Sequence, residues 1–197
     1  MSKLISIVGT SGVGKTALVQ ALSKTGKFTT AYEEHVERPF QALFKQDSRY
    51  ALANQIDYLL LRAEQERALR SSSQFGLMDG GLDLDFHGFT RLFHRRGLLA
   101  DAEYDLCRRV YTFIRAAQPT PELIVRLCAD ERTVASRLSS RDRINIASSA
   151  DTTLFNSLID EWLALLSSHQ LVELDTSQDS LQYEHSIPII LKRIFME

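Results

Sequence analysis

The sequence has little of what marks a secreted or membrane protein. Among its 197 residues there are two cysteines, Cys107 and Cys128. Neither lies in a C-x-x-C, and no histidine stands at ligand spacing. That argues against both a disulfide framework and a cysteine metal site. The two thiols are expected to be buried in a protein of the reducing cytoplasm. No apolar stretch approaches the roughly 20 residues that span a bilayer. Met1-Ser2-Lys3 leads directly into an apolar strand, without the pattern of a signal peptide. Charge bias is missing too: 23 Lys and Arg against 25 Asp and Glu leave a net charge of −2. Such a balance gives no general reason to expect nucleic acid or an anionic membrane as partner. There is no internal repeat, no low-complexity linker, and no guanine-reading N-K-x-D. Asn54-Gln55-Ile56-Asp57 matches that last pattern only in part and falls inside a predicted helix, which argues against a regulatory GTPase.

What is present is ordinary in bulk and specific in one place. A hydrophobic content of 44% suits a soluble globular chain, and the length suits a single domain, 1–197, with a real core. Gly9-Thr10-Ser11-Gly12-Val13-Gly14-Lys15-Thr16 fits G-x-x-x-x-G-K-[ST] without a mismatch. Leu4 to Val8 before it reads as a buried strand, and Ala17 to Leu22 after it as the start of a helix. A strand, a Gly-rich turn and a helix N-terminus aim backbone N–H groups and a helix dipole at an anion. Lys15 is expected to reach the β- and γ-phosphates of a nucleoside triphosphate, and the Thr16 hydroxyl to ligate Mg²⁺.

The remaining chain alternates strands and helices. Phe28–Tyr32, Phe75–Met78, Leu123–Leu127 and Leu171–Leu174 read as strands. Helices are predicted from Tyr50 to about Ser71, from Leu82 to Arg95, from Asp101 (as N-cap) to about Arg115, after caps at Asp130 and Asp151, and finally to Phe195 with Pro188 inside or at a break. In the long helix, Asn54, Gln55, Arg62 and Glu66 fall off or at the margin of the apolar stripe. The pattern predicts an α/β fold: a five-stranded parallel sheet with helices on both faces, of the P-loop kinase type.

Ligands of such sheets bind outside the C-terminal strand ends. The acidic segment after the second strand, Glu33-Glu34-His35-Val36-Glu37, would lie near the γ-phosphate if that strand stood beside the first. Glu33 is the chosen general base, with Glu34 and Glu37 as competitors. Asp79, ending the third strand, is the second candidate Mg²⁺ ligand. Arg137, Arg141 and Arg143 have the spacing of a lid, over about 137–150, that closes cations onto phosphates; the alternative is a solvated basic surface.

Taken in order, these motifs resemble the deoxynucleoside kinases, especially the bacterial deoxyadenosine/deoxyguanosine kinase branch, over most of the chain. Tyr32-Glu33-Glu34-His35-Val36-Glu37-Arg38-Pro39-Phe40 is similar to the family's second-strand motif, whose first Glu is the base. Leu43 to Gln55 is similar to the stretch leading to the nucleobase-binding Gln. Arg62 falls on an active-site arginine, Asp85 on an aspartate facing the base, and Arg137 to Arg143 on the lid pattern R-x-x-x-R-x-R. The resemblance implies ATP- and Mg²⁺-dependent phosphorylation of a nucleoside 5′-hydroxyl in nucleotide salvage. It implies Gln55, Arg62 and Asp85 as nucleoside ligands beside Glu33, Arg137 and Arg141 on the donor nucleotide, and Arg141 and Arg143 in catalysis. It also implies a homodimer formed through helices on one face of the sheet. The chain departs from the family where Asp/Glu-Arg-Ser reads Asp79-Gly80-Gly81, where Arg38 replaces an Asn, and where Ile146 stands near an acidic position. Arg38, Arg91 and Arg62 are the candidates to supply the missing charge. Two other readings stay open: a nucleotide-binding module that has lost phosphoryl transfer, and a kinase for another small acceptor such as a nucleoside monophosphate.

Overall fold

Five apolar runs pair as one parallel sheet in the computed structural model, which describes residues 2–32, 37–139, 149–180 and 182–195. The strands are β1 (Leu4–Val8), β2 (Phe28–Ala31), β3 (Phe75–Asp79), β4 (Leu123–Cys128) and β5 (Leu171–Asp175), in the order β2-β3-β1-β4-β5. Every residue of β1 is buried. Its side chains alternate faces, as a strand of period two must. Ile5 and Ile7 join a core with Leu77, Val125, Leu18 of α1 (Lys15–Ser23) and Ile190 of α9 (Ser186–Phe195). Val8 and Leu4 turn to the opposite face. There Val8 packs with Phe155 and Trp162 of α8 (Ser149–Leu163), and Leu4 with Leu69 of α3 (Ala51–Arg70). The α/β/α layering expected from the alternation is therefore present.

One placement differs from the sequence reading. β2 pairs with β3, not with β1. The condition for an acidic loop beside the γ-phosphate is not met by strand adjacency; the strand next to β1 on that side is β3, ending at Asp79.

The segment before α3 holds a helix that the sequence reading does not include, α2 (Pro39–Gln46), followed by a single 3₁₀ turn at Ser48–Tyr50. Pro39 at its first position costs no hydrogen bond there. The predicted helix over Leu82–Arg95 is helical throughout but not uniform. α4 (Leu82–Leu84) opens into a π-helical stretch, Asp85–Thr90, before α5 (Arg91–Arg95). α6 (Asp101–Ala117) takes Ala100 as its N-cap, so Asp101 is its first residue, favourable to the helix dipole and paired with His94 at 2.9 Å. Asp130 caps α7 (Glu131–Ser139) as expected, accepting from Thr133 N at 2.7 Å. Asp151 does not cap α8, which begins two residues earlier; it pairs with Arg96 instead. Pro188 lies in the first turn of α9, where its missing N–H is harmless. Cys107 is buried as expected, and Cys128 is only half-buried. No helix among the described residues is long and apolar enough to cross a membrane.

The long helix α3 carries the main correction. Its polar residues Asn54, Gln55, Arg62 and Glu66 are all buried. Other helices cover the face that carries these residues, while Leu60, Glu64, Arg67 and Ala68 keep a second face exposed. Arg115 of α6 ties it down, reaching both Glu66 of α3 and Asp83 of α4, 2.7 and 2.8 Å away. A polar stripe on such a helix faces a site or a network, not water.

Candidate active site

The site has two halves, which meet at the C-terminal ends of β1 and β3. The first is the loop after β1. Gly14 is the N-cap of α1 in a left-handed conformation, φ 103°. A side chain there would also collide with Tyr183, whose buried hydroxyl donates to Gly14 O at 3.0 Å. Glycine is thus required twice over. Arg137 braces the loop from behind, donating to Val13 O (2.8 Å) and to Thr176 O (2.9 Å). Lys15 Nζ lies over the loop, donating to Gly9 O and Thr10 O at 3.0 and 3.1 Å. Thr16 Oγ1 donates to Asp79 Oδ2 at 2.5 Å. The two expected magnesium ligands are therefore neighbours, one from each strand end. A hydroxyl and a carboxylate are hard oxygen donors, and Mg²⁺ typically takes one or two protein oxygens and completes its shell with water and phosphate. The residues fit that ion.

The second half lies between α2, α3 and the π-helical stretch. A cavity of about 90 Å³ is lined by Gln55, Tyr58 and Arg62 of α3, by Asp85 and Phe89, and by Phe44. Residues 55, 58 and 62 share one helix face by their i, i+3, i+7 spacing. Arg62 Nε donates to Asp85 Oδ2 at 2.9 Å, and both side chains are less than a tenth exposed. Gln55 Oε1 accepts from Thr90 Oγ1 at 2.9 Å. The structure therefore brings Gln55, Arg62 and Asp85 together, three residues that the sequence linked only by resemblance. Tyr58, Phe89 and Thr90 were missed. The spacing around Gln55 and Arg62 could have revealed Tyr58. No local signal marks the π turn that brings Asp85, Phe89 and Thr90 to one wall.

Asp79-Gly80-Gly81 joins the halves. Gly80 and Gly81 have φ of 80° and 135°, both left-handed. A Cβ at Gly81 would stand 2.7 Å from Ser6 Oγ, and one at Gly80 would stand 3.5 Å from Arg62 Nη2. So the departure from Arg-Ser changes the backbone as well as two side chains, and the Arg62 guanidinium lies against the space above Gly80. The other candidate cations are placed elsewhere. Arg38 is gripped by Asp57 through two bonds of 2.5 and 2.7 Å, and Arg91 pairs with Glu161. Glu37, one of the competing bases, is an exposed partner of Lys45. Glu33, Glu34, Arg141 and Arg143 lie outside the described residues.

Behind the cavity is a buried polar network. Glu66 accepts from Arg115 and from Leu82 N. Burial pushes its carboxyl up, against the pull of Arg115. Asp83 accepts from Tyr111 and Arg115. His87 stacks on Trp162, with ring centroids 5.2 Å apart, and burial pushes its pKa down to about 4.

Known proteins are similar to this chain in sequence and in fold. The family model described as deoxynucleoside kinase matches residues 5–193. A deoxyadenosine kinase of Dictyostelium discoideum is 27% identical over 140 residues, which is 71% of this chain and 57% of that protein. A deoxyadenosine/deoxycytidine kinase of Bacillus subtilis is 25% identical over 149 residues, 72% of this chain and 67% of that one. The matched region thus spans little more than half of the first relative. In structure, the deoxyadenosine kinase of M. mycoides with bound dCTP superimposes with a TM-score of 0.80 at 18% identity, covering 98% of this chain and all of that one. The same enzyme with bound dATP gives 0.77. The chain belongs to the deoxynucleoside kinase family.

Proposed function

We propose that this protein transfers the γ-phosphoryl group of ATP to the 5′-hydroxyl of a deoxynucleoside, as a salvage enzyme of the cytoplasm that takes neither nucleic acid nor membrane as partner. The observation that carries the reading is the buried Arg62–Asp85 pair, set between Asp79-Gly80-Gly81 and an aromatic-lined cavity. A phosphate cradle facing a polar, aromatic pocket is the form of a site with two substrates. Phosphoryl transfer needs positioning and cations more than covalent chemistry. The loop N–H groups and the α1 dipole hold the β- and γ-phosphates, and Lys15 swings from Gly9 O and Thr10 O onto them. Thr16 and Asp79 would hold Mg²⁺, which neutralises charge building between the phosphates. Glu33 accepts the proton of the attacking hydroxyl. Gln55 and the cavity aromatics orient the nucleoside. Arg62 supplies the acceptor-side charge that Gly80 lacks, while Arg141 and Arg143 supply the lid cations and Arg137 fixes the loop beneath the nucleotide. Residues 1–197 act as one domain with a lid over about 137–150.

Purified protein with Mg-ATP and a panel of deoxynucleosides and nucleoside monophosphates tests this. Deoxynucleoside turnover that Glu33→Gln abolishes is expected. Turnover of monophosphates alone, or ATP binding with no turnover, overturns it.

The protein is further proposed to be a homodimer through α3 and α6. Leu60, Leu106 and Phe113 are exposed on these two helices, Phe113 by 79%. Leu106 and Phe113 share a face, being seven residues apart. Sedimentation of a monomer at micromolar concentration would contradict it.

A further inference from the structure

We infer that Asn54 is a specificity-determining residue, whose amide oxygen accepts a hydrogen bond from the exocyclic amino group of the nucleobase. The inference rests on the nucleoside-kinase reading above. Asn54 lines the same cavity as Gln55 and is 4% exposed, yet its Oδ1 is buried with no hydrogen-bond partner. A buried amide oxygen left unpaired costs about 1–3 kcal/mol. A chain that keeps such a group beside a ligand cavity has left its partner to the ligand.

The other acceptors in the cavity are engaged within the protein. The Thr90 hydroxyl lies 2.9 Å from Gln55 Oε1 and 3.0 Å from Asp85 O; donating to Gln55, it turns that amide's –NH₂ toward a ligand. Asp85 is held by Arg62 at 2.9 Å. Asn54 Oδ1 differs from both in having no partner in the protein, so a base amino group would supply its missing hydrogen bond. A half-turn about the Asn54 terminal torsion lets either end of its amide face the cavity, so reaching the ligand needs no backbone change. A six-membered ring edge of adenine or cytosine presents a ring-nitrogen acceptor beside an amino donor. The Gln55 –NH₂ serves the first, and Asn54 Oδ1 the second. In hypoxanthine a carbonyl replaces the amino group and the adjacent ring nitrogen carries a proton, so the Gln55 –NH₂ that serves adenine would meet a donor instead.

The test compares deoxyadenosine with the purine deoxyriboside that lacks the 6-amino group, and with deoxyinosine, on the intact protein and on Asn54→Leu. In the intact protein, kcat/KM for deoxyadenosine exceeds that for the desamino analogue by roughly tenfold, the worth of about one hydrogen bond. Deoxyinosine falls lower still. In Asn54→Leu the first ratio collapses toward one, the KM for ATP stays as it was, and the Tm of the unliganded protein holds or rises, since an unpaired polar group has been removed. An unchanged ratio with a lowered Tm overturns the inference and leaves Asn54 a structural residue. Preference of the intact protein for deoxyinosine overturns it without any variant. Turnover and ligand-induced Tm shifts absent for all three nucleosides overturn the nucleoside-kinase reading as well, which separates the two failures.

Discussion

The donor half of the site is made of backbone, and the acceptor half of side chains. At the loop after β1, eight consecutive residues form the proposed phosphate cradle. The hydroxyl of Tyr183 and the guanidinium of Arg137 support it by gripping carbonyls of Gly14 and Val13. The acceptor half draws Phe44, Asn54, Gln55, Arg62, Asp85 and Phe89 from three separate elements. Backbone geometry depends on a local pattern of glycines and tolerates little variation. A wall built from side chains can be rebuilt residue by residue while the fold stays constant.

If this contrast is right, the two halves break differently. The largest expected effect is on catalysis at the donor side. Lys15→Met should lower kcat by roughly a hundred- to a thousandfold, the scale of losing one strong cation aimed at developing charge. Its Tm should stay within about a degree of the parent, because Lys15 bonds only loop carbonyls. A large Tm loss would mean that the loop, too, is held together by side chains.

Next comes Arg62→Gln, which should damage fold and function together. It leaves Asp85 buried without its 2.9 Å partner. Breaking such a pair costs about 3–5 kcal/mol, a Tm drop on the order of 10 °C for a chain of this size. Thermal unfolding checks the stability arm and steady-state kinetics the other. Full activity in a folded Arg62→Gln protein would leave the charge above Gly80 to another residue.

A third effect is acid sensitivity confined to the acceptor side. His87 lies in the π-helical stretch, and burial lowers its pKa to about 4 from 6.5. Between these values the unfolded chain binds a proton that the folded one does not. The stability is therefore fully present above pH 6.5 and is lost as pH falls toward 4, by up to about 3 kcal/mol. Tm measured from pH 7 to pH 5 should fall, and His87→Phe should flatten the slope. The same titration should weaken nucleoside binding before ATP binding. Parallel loss of both ligands would show that the halves unfold as one.

Much of this was legible in the sequence. β1, β3 and β4 are short apolar runs buried along most of their length, whereas the edge strands β2 and β5 are only partly buried. Leu4–Val8 is the clearest of them. α2 was less legible: Phe40, Leu43 and Phe44 stand at helical spacing, but the helix is only two turns long and none of its residues is buried. The π turn was not legible either: helical periodicity continues through Leu82–Arg95, and one widened turn leaves no compositional mark. Nor could the sequence say that Asn54 and Glu66 are buried. On an isolated helix their positions face water, and only the packing of other helices decides otherwise.

By itself, then, the sequence determined the strands and the nucleotide loop, because each follows from residues adjacent in the chain. Tertiary structure decided that β3, not β2, stands beside β1 and brings Asp79 to Thr16. It also decided that Arg62 reaches Gly80 and that Gln55, Asp85 and Thr90 share one wall. The contacts Thr16–Asp79, Arg62–Gly80 and Gln55–Thr90 join residues 63, 18 and 35 positions apart, fixed by strand order and helix packing that no local pattern encodes.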